Sequence, residues 1–445
     1  MLKRILILTI VAVLWLAIGQ EAEADWLNGW DKRIKLTIDH NDITSGLSYF
    51  PILIHLSTSS GRNSDDVSCV FDELTSNTNR KKIAVTKSDG TTQRYVEIEK
   101  WDDPNEQAWL WVKVPVISWA QDTVLYLYYD KDQADNTTYV DDTNIGNSYK
   151  VWDDGGNNYF KGVWHLKENA AGTGTADLYK DSTSNNNDGN DYVSATGKSG
   201  KIGDAQQFDG IDDYVDLPGI SFPSGNSPRT VSFWINDVAS TLNHYIFFYG
   251  KTSTNNRFAI GIDNQRGNKL TVVAYGNDWA PYVLDTGVWK HVAFTFDGRN
   301  IQLYIDGSFE ASTAKTYDTI LDKAYIGCHG DKIAFFEGML DDFAVFDEAL
   351  SESEIRALYT GGAITPQPPI DSLSRALDTA LSFTTGGGAE WFNQAITFYY
   401  GGEAAQSGHI SYSQDSWIQT TVSGTGTVKF YWKVSSEEEY DFLEF

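Results

Sequence analysis

The 445-residue chain has only two cysteines, Cys69 and Cys328. That excludes a disulfide framework, so apolar cores rather than cross-links must hold its domains. The two fall in different predicted domains and are expected as buried free thiols. Basic residues are also scarce: 34 Lys and Arg stand against 61 Asp and Glu, a formal net charge of −27. A surface of that sign repels phosphate backbones and argues against nucleic acid as a partner. Beyond residue 24 no apolar run approaches the length of a membrane span. G-x-S-x-G, H-E-x-x-H, a Cys–His pairing and a phosphate-binding glycine loop are all missing, so the chain reads as non-catalytic. What it has instead is 15 Trp, 24 Tyr, 22 Phe and 38 Gly. Aromatics among turn formers point to an all-β chain built as tandem β-sandwich domains.

The first 24 residues are set apart from the fold. Lys3 and Arg4 precede an apolar run from Ile5 to Ile18, and Ala22-Glu23-Ala24 supplies a small-residue cleavage site before Asp25. This is a secretory signal peptide in residues 1–24, which places the mature chain outside the cell or at its surface. No cysteine follows the run, so a lipid anchor is not expected.

Residues 25–149 read as a first β-sandwich. Ile34, Leu36 and Ile38 alternate with polar neighbours, and Phe50 to Leu56 is a continuous apolar run suited to a central strand. Ile83 to Glu99 reads as a hairpin around Ser88-Asp89-Gly90-Thr91, and Trp109–Val114 with Val124–Tyr129 reads as a further pair. Glu97 and Glu99 lie on one strand face, opposite Val96 and Ile98, and are expected on the solvent side of an edge hairpin.

Residues 159–362 read as a second sandwich of jelly-roll type. The stretch Gly200 to Leu217 crowds Asp209, Asp212 and Asp213 into one turn between two short strands, and reads as a hairpin. Water, backbone amides or a cation must offset that repulsion. Val231, Phe233 and Ile235, then Val292, Phe294 and Phe296, then Ile301, Leu303 and Ile305 alternate with their neighbours. The turns Asp297-Gly298 and Asp306-Gly307 make the last part a meander. Asp341 shares a strand face with Phe343 and Val345, and a carboxylate there must be paired, hydrogen-bonded or metal-bound. Ser351 and Glu354 form a capping box for a short helix ended by Gly361-Gly362. His165 and His291 sit in strand patterns as core or sheet-face residues. For stacking on a sugar the best loop is Asn277, Asp278, Trp279 and Tyr282.

Two resemblances follow from these motifs. Trp30-Asp31-Lys32-Arg33-Ile34, Tyr49 to Ile54 and Tyr126 to Asp130 resemble domain of unknown function 2341, a family of prokaryotic surface proteins with no assigned chemistry. Gly162 to Leu166, Phe208-Asp209-Gly210 with Asp213-Tyr214-Val215, Trp289 to Ala293, and Leu340-Asp341-Asp342 with Ala349-Leu350-Ser351 resemble the laminin-G-like, concanavalin A-like jelly roll. That resemblance implies carbohydrate or protein-ligand binding, often with structural Ca²⁺, and carries the metal role to Asp209 and Asp341, then Asp342. With the jelly roll folded, Asp209 and Asp341 would meet.

A stiff Pro-rich linker is expected in residues 363–372, with extended polyproline backbone. Residues 373–445 resemble part of a further β module of bacterial surface proteins, and their end in mid-pattern suggests a truncated product. The sequence reading is a secreted or cell-surface binding protein that recognises a glycan or a matrix or surface protein through the jelly roll. An accessory region of a glycan-degrading enzyme, or a stalk binding protein rather than sugar, are the alternatives.

Overall fold

A computed structural model describes residues 26–361 apart from 62–63, 154, 157–158, 171, 195–197, 219–220, 239–241 and 274–277. It further describes residues 364–366, 373, 377, 383–389, 391–394, 404–407 and 415–421. Residues 1–24, read from sequence as a signal peptide, Asn277 and the C-terminal residues 422–445 lie outside the described residues.

The first domain carries β1 (Arg33–Ile38), β2 (Leu47–Leu56), helix α1 (Cys69–Leu74), β3 (Ile83–Lys87), β4 (Gln93–Arg94), β5 (Val96–Asp102), β6 (Gln107–Ile117), β7 (Thr123–Tyr129) and β8 (Val140–Asp142). The second carries β9 (Phe160–Trp164), β10 (Asn190–Tyr192), β11 (Lys198–Ser199), β12 (Asp204–Asp209), β13 (Tyr214–Asp216), β14 (Arg229–Asp237), β15 (His244–Gly250) and β16 (Arg257–Asp263). It continues with β17 (Lys269–Val273), β18 (Trp279–Val283), β19 (Trp289–Phe296), β20 (Asn300–Ile305), β21 (Ser308–Ala314), β22 (Lys323–Ile326), β23 (Glu337–Phe346) and helix α2 (Glu352–Thr360). Then come β24 (Ile364–Pro366), β25 (Thr384–Gly387), β26 (Trp391–Gln394), β27 (Ala404–Ser407) and β28 (Ser416–Gln419).

Both domains are β-sandwiches, as their alternating patterns require. In the first, a sheet ordered β24-β1-β7-β3-β4 faces one ordered β2-β6-β5-β8. Ile34, Leu36, Ile52, Ile54, Val85, Val112 and Leu127 are buried between them. The predicted pairing of Trp109–Val114 with Val124–Tyr129 is not formed: β6 pairs with β2 and β5, β7 with β1 and β3, so the two lie in opposite sheets. The expected hairpin closes only through β4 on β3, after which β5 crosses to the other sheet.

In the second domain a seven-stranded sheet, β10-β13-β22-β15-β16-β17-β18, faces an eight-stranded one, β11-β12-β23-β14-β19-β20-β21 with β9 on β23. The Val231, Phe233, Phe294, Leu303 and Phe343 side chains fill the space between. The β19–β20–β21 meander forms as read. The acidic stretch differs. β12 pairs with β23 and β13 with β10 and β22, so Asp209–Asp213 is an arch from one sheet to the other and not a hairpin turn.

The two sandwiches are stacked. Trp111, Trp152, Val163, Trp234, Ala344 and Phe346 form an apolar layer between the β2-β6-β5-β8 sheet and the outer face of the eight-stranded sheet. Helix α2 is capped by Ser351 and Glu354 as the capping box requires, and it packs on β2 of the first domain. The chain then returns: Leu36 to Ile38 of β1 pair with β24. That part of the predicted polyproline linker is therefore a strand, because the edge of β1 offers backbone partners to an extended segment.

Candidate functional site

A buried polar cluster sits inside the apolar layer between the sandwiches. Glu97 and Glu99 supply it from β5, His165 and Lys167 from the chain just after β9, Ser182 from the following loop, and Asp341 and Asp342 from β23. Glu97 and Glu99 are not on a solvent face: their relative exposures are 0% and 4%. The second domain covers the side of β5 opposite Val96 and Ile98, so this strand is buried on both faces.

Two β-bulges aim the carboxylates. On β5, Ile98 pairs with Leu110 and Lys100 with Trp109, leaving Glu99 as the extra residue. On β23 the register slips between Asp341 and Ala344, opposite Trp234 and Ser232 of β14, and Asp342 takes φ 44° there. A bulge turns a side chain from its alternating direction, so Asp342 joins Asp341 toward the first domain. There Asp342 Oδ1 lies 2.6 Å from His165 Nδ1.

The hydrogen bonds divide the cluster into satisfied and unsatisfied atoms. Trp152 and Ser182 donate to Glu97. Trp111 Nε1 donates to Glu99 Oε2 at 2.7 Å. His165 lies 3.4 Å from Glu97 Oε1 and 3.3 Å from Glu99 Oε2. The amides of Lys201 and Ile202 donate to Asp341 Oδ2 at 2.8 and 2.9 Å. Glu99 Oε1, Asp341 Oδ1 and Asp342 Oδ2 are buried without a partner. Gly203 and Gly200 make room for these groups: a Cβ there would meet Glu99 Oε1 at 2.5 Å and Asp341 Oδ2 at 2.4 Å.

The electrostatics follow from this packing. Burial, then Asp342, pushes the Glu99 carboxyl above its usual range. Burial, then Asp342 and Glu99, holds Asp341 well above its own. Burial also raises Glu97, but His165, Trp152 and Ser182 outweigh it and bring Glu97 below its usual value. Burial alone would lower His165, yet Glu99, Glu97 and Asp342 hold the imidazole well above its ordinary value. A cavity of about 30 Å³ borders Asp342, lined also by Trp111, Trp152, Ile202 and His291. It has the volume of one water molecule and no room for a sugar ring.

The residues assigned from sequence are placed elsewhere. Asp209 and Asp341 do not meet: Asp209 lies opposite Glu337, four ladder positions from Asp341, or about 13 Å. The calcium pairing implied by the resemblance therefore does not fit these two residues. In the arch, backbone and hydroxyl donors offset the repulsion. Asp209 Oδ1 accepts from the Ile211 amide at 2.8 Å, and Asp213 accepts from the Asp209 amide at 2.9 Å and from Ser194 N and Oγ at 2.6 and 2.8 Å. Asp341 caps turn amides, and Asp342 belongs to the interdomain cluster.

Trp279 and Tyr282 belong to β18, an edge strand, and not to an open loop. Both pack partly against the jelly-roll core, with Trp279 edge-on to Phe294 at 6.5 Å between centroids. An open cleft of about 330 Å³ lies at the Gly298–Arg299 turn. Asn255, Gly298, Arg299, Ala314, Lys315 and Thr316 line it. Exposed Asp278 acts electrostatically on Lys315, whose ammonium burial lowers.

Sequence reasoning missed Glu97, Glu99 and His165 as one site, and Asn255, Arg299 and Lys315 as another. One signal for the first was present. Trp111 lies directly across from Glu97, and tryptophan on a supposed solvent face announces that something covers it.

Residues 208–356 match the family model described as the concanavalin A-like lectin/glucanases superfamily, and residues 79–167 match the one described as domain of unknown function (DUF2341). The second match runs through Glu97, Glu99, Trp111, Trp152 and His165. No curated protein matches the chain. Domain 4 of AbnA, a GH43 extracellular arabinanase from Geobacillus stearothermophilus, in complex with arabinotriose, is 22% identical over 45% of this chain and 98% of its own, with a TM-score of 0.36. The binding domain of Paraclostridial Mosquitocidal Protein 1 is 15% identical over 56% of this chain and 63% of its own, with a TM-score of 0.36. The botulinum neurotoxin serotype G binding domain is 12% identical over 45% of this chain and 50% of its own, with a TM-score of 0.34. The chain thus spans less than two thirds of either toxin domain. It carries a domain of unknown function 2341 followed by a concanavalin A-like domain of the lectin and glucanase superfamily.

Proposed function

We propose that this is a secreted, non-catalytic binding protein that takes an anionic carbohydrate in the cleft at the end of its jelly roll. The observation that carries the reading is the cleft itself, about 330 Å³ and lined by Asn255, Arg299, Lys315 and Thr316. That volume suits a sugar residue or two. Arg299 and Lys315 place two cations in one opening on a chain of net charge −27, which favours a carboxylate- or sulfate-bearing ligand. The first sandwich covers the outer face of the eight-stranded sheet, so the loops at the end remain open to solvent. Export rests on residues 1–24, whose charged start, apolar run and Ala22-Glu23-Ala24 read as a signal peptide.

An array of neutral and acidic oligosaccharides tests this with the mature chain. Binding is expected to acidic glycans, to weaken with added salt, and to fall about tenfold or more in Arg299→Ala and Lys315→Ala. Trp279→Ala and Tyr282→Ala report whether edge strand β18 contributes. No glycan bound, or binding indifferent to both cations, would remove the cleft as the site.

A further inference from the structure

We propose that Glu99, His165 and Asp342 form a binding site for one divalent transition-metal ion, Mn²⁺ or Zn²⁺ in kind, that fastens the two sandwiches together. One ligand atom from each lies within 4.8 Å of the others. The three come from both domains: Glu99 from β5, His165 from beyond β9 and Asp342 from β23.

Proximity of charged groups would not suffice. The independent observation is that the cluster holds buried oxygens with nothing to bind. Glu99 Oε1 and Asp341 Oδ1 are unpartnered, on residues 4% and 0% exposed, and Asp342 Oδ2 is unpartnered beside them. Buried polar atoms are nearly always satisfied, yet beyond the donors to Glu97, to Glu99 Oε2 and to Asp341 Oδ2 these three oxygens accept from nothing, with the charges of His165 and Lys167 nearby. The adjoining cavity of about 30 Å³ borders Asp342 alone of the three and has the volume of one water molecule. The acidic arch makes a useful contrast. Asp209, Asp212 and Asp213 also bring their oxygens within 4.8 Å, yet Asp209 and Asp213 accept from nearby amides and none of the three leaves a buried oxygen orphaned.

The donor set chooses the metal. Calcium takes oxygen ligands alone, whereas an imidazole among carboxylates suits manganese or zinc. The ion would replace the proton that His165 Nδ1 and Asp342 Oδ1 share across 2.6 Å. Supporting contacts are in place: Trp111 Nε1 orients Glu99, and the Lys201 and Ile202 amides hold Asp341 behind Asp342.

The test measures metal content of the purified mature chain after desalting, its melting with Mn²⁺, Zn²⁺ or Ca²⁺ and after chelation, and the electron spin echo of the Mn²⁺-loaded protein. Expected are about one equivalent of Mn²⁺ or Zn²⁺, a lower melting temperature in chelator, and modulation from a directly bound ¹⁴N. Glu99→Gln should weaken binding at least about tenfold. His40→Gln, which alters the half-buried Asp39–His40 pair beside exposed Asp122, should leave the nitrogen signal intact. Neither metal retained nor any melting shift would overturn the proposal. So would an oxygen-only echo, a shift with Ca²⁺ alone, or a nitrogen signal lost in His40→Gln. If Glu99→Gln does not fold, the echo of the wild type and of His40→Gln decides.

Discussion

Asp342 holds φ at 44°, a conformation costly for a residue with a Cβ. The strain sits where the β23 bulge turns its carboxylate toward His165, so local backbone energy is exchanged for the direction of one side chain. Asp181 shows the opposite economy. Its two oxygens accept from the amides of Val163, Thr183 and Asn187 at 3.0, 2.9 and 2.8 Å and from the Thr183 hydroxyl at 2.9 Å. Burial still pushes its pKa up from 3.8 to about 6. The folded state therefore holds a proton that the unfolded chain has released, and this group's contribution to stability falls as pH rises from about 4 to about 6. Asp181→Asn cannot titrate. The stability difference between the two proteins should move in the variant's favour by about 3 kcal/mol across that window, read by urea unfolding at pH 4 and pH 6.5; a constant difference would refute the assignment. Legibility at this scale was uneven. Asp341 could be flagged as needing partners because it falls on an apolar face. Glu97 and Glu99 could not, because alternation with Val96 and Ile98 is what a half-exposed strand also shows. Only the covering domain distinguishes the two cases.

Among elements, β23 organises the second domain: β12, β14 and β9 all pair with it. Its Phe343 stacks on Phe233 at 5.3 Å with rings 6° apart, fully buried. Phe233→Ala should cost about 3–5 kcal/mol by opening a cavity there, measured by denaturant unfolding; a loss below about 1 kcal/mol would mean the site collapses freely. Helix α2 is the second such element, lying on β2 of the first domain. Ser351→Ala removes its cap and should cost about 1 kcal/mol, seen as a lower melting temperature that Ser351→Asp restores. Strand periodicity made most of these elements legible, since the apolar sets of β14, β19 and β20 alternate cleanly. Partnership was less so. The Asp-Gly after Phe208 is a hairpin signal by local chemistry, yet β12 and β13 go to opposite sheets. Turn residues permit a reversal of direction, and only the core decides which sheet receives the chain. The Pro-rich segment misled for a related reason: extended backbone is what both polyproline and an added edge strand require, and β1 had a free edge.

Among the described residues the two sandwiches stack four sheets deep, and the apolar layer between them joins the domains. Composition and motif spacing announced two sandwiches and gave no sign that they share a buried layer, because an interface residue looks like a core residue from sequence. Trp152 belongs to neither sandwich's strands, yet it is buried between them and donates to Glu97. Removing it should uncouple the halves. No helix among the described residues is long and apolar enough to cross a membrane. The most direct test of the joined architecture is hydrogen–deuterium exchange along a thermal ramp, reading peptides from β6 of the first sandwich and β14 of the second. The two should lose protection together in the wild type and separately in Trp152→Ala. Loss of β6 protection many degrees away from β14 in the wild type, unchanged by the substitution, would contradict a common interdomain core.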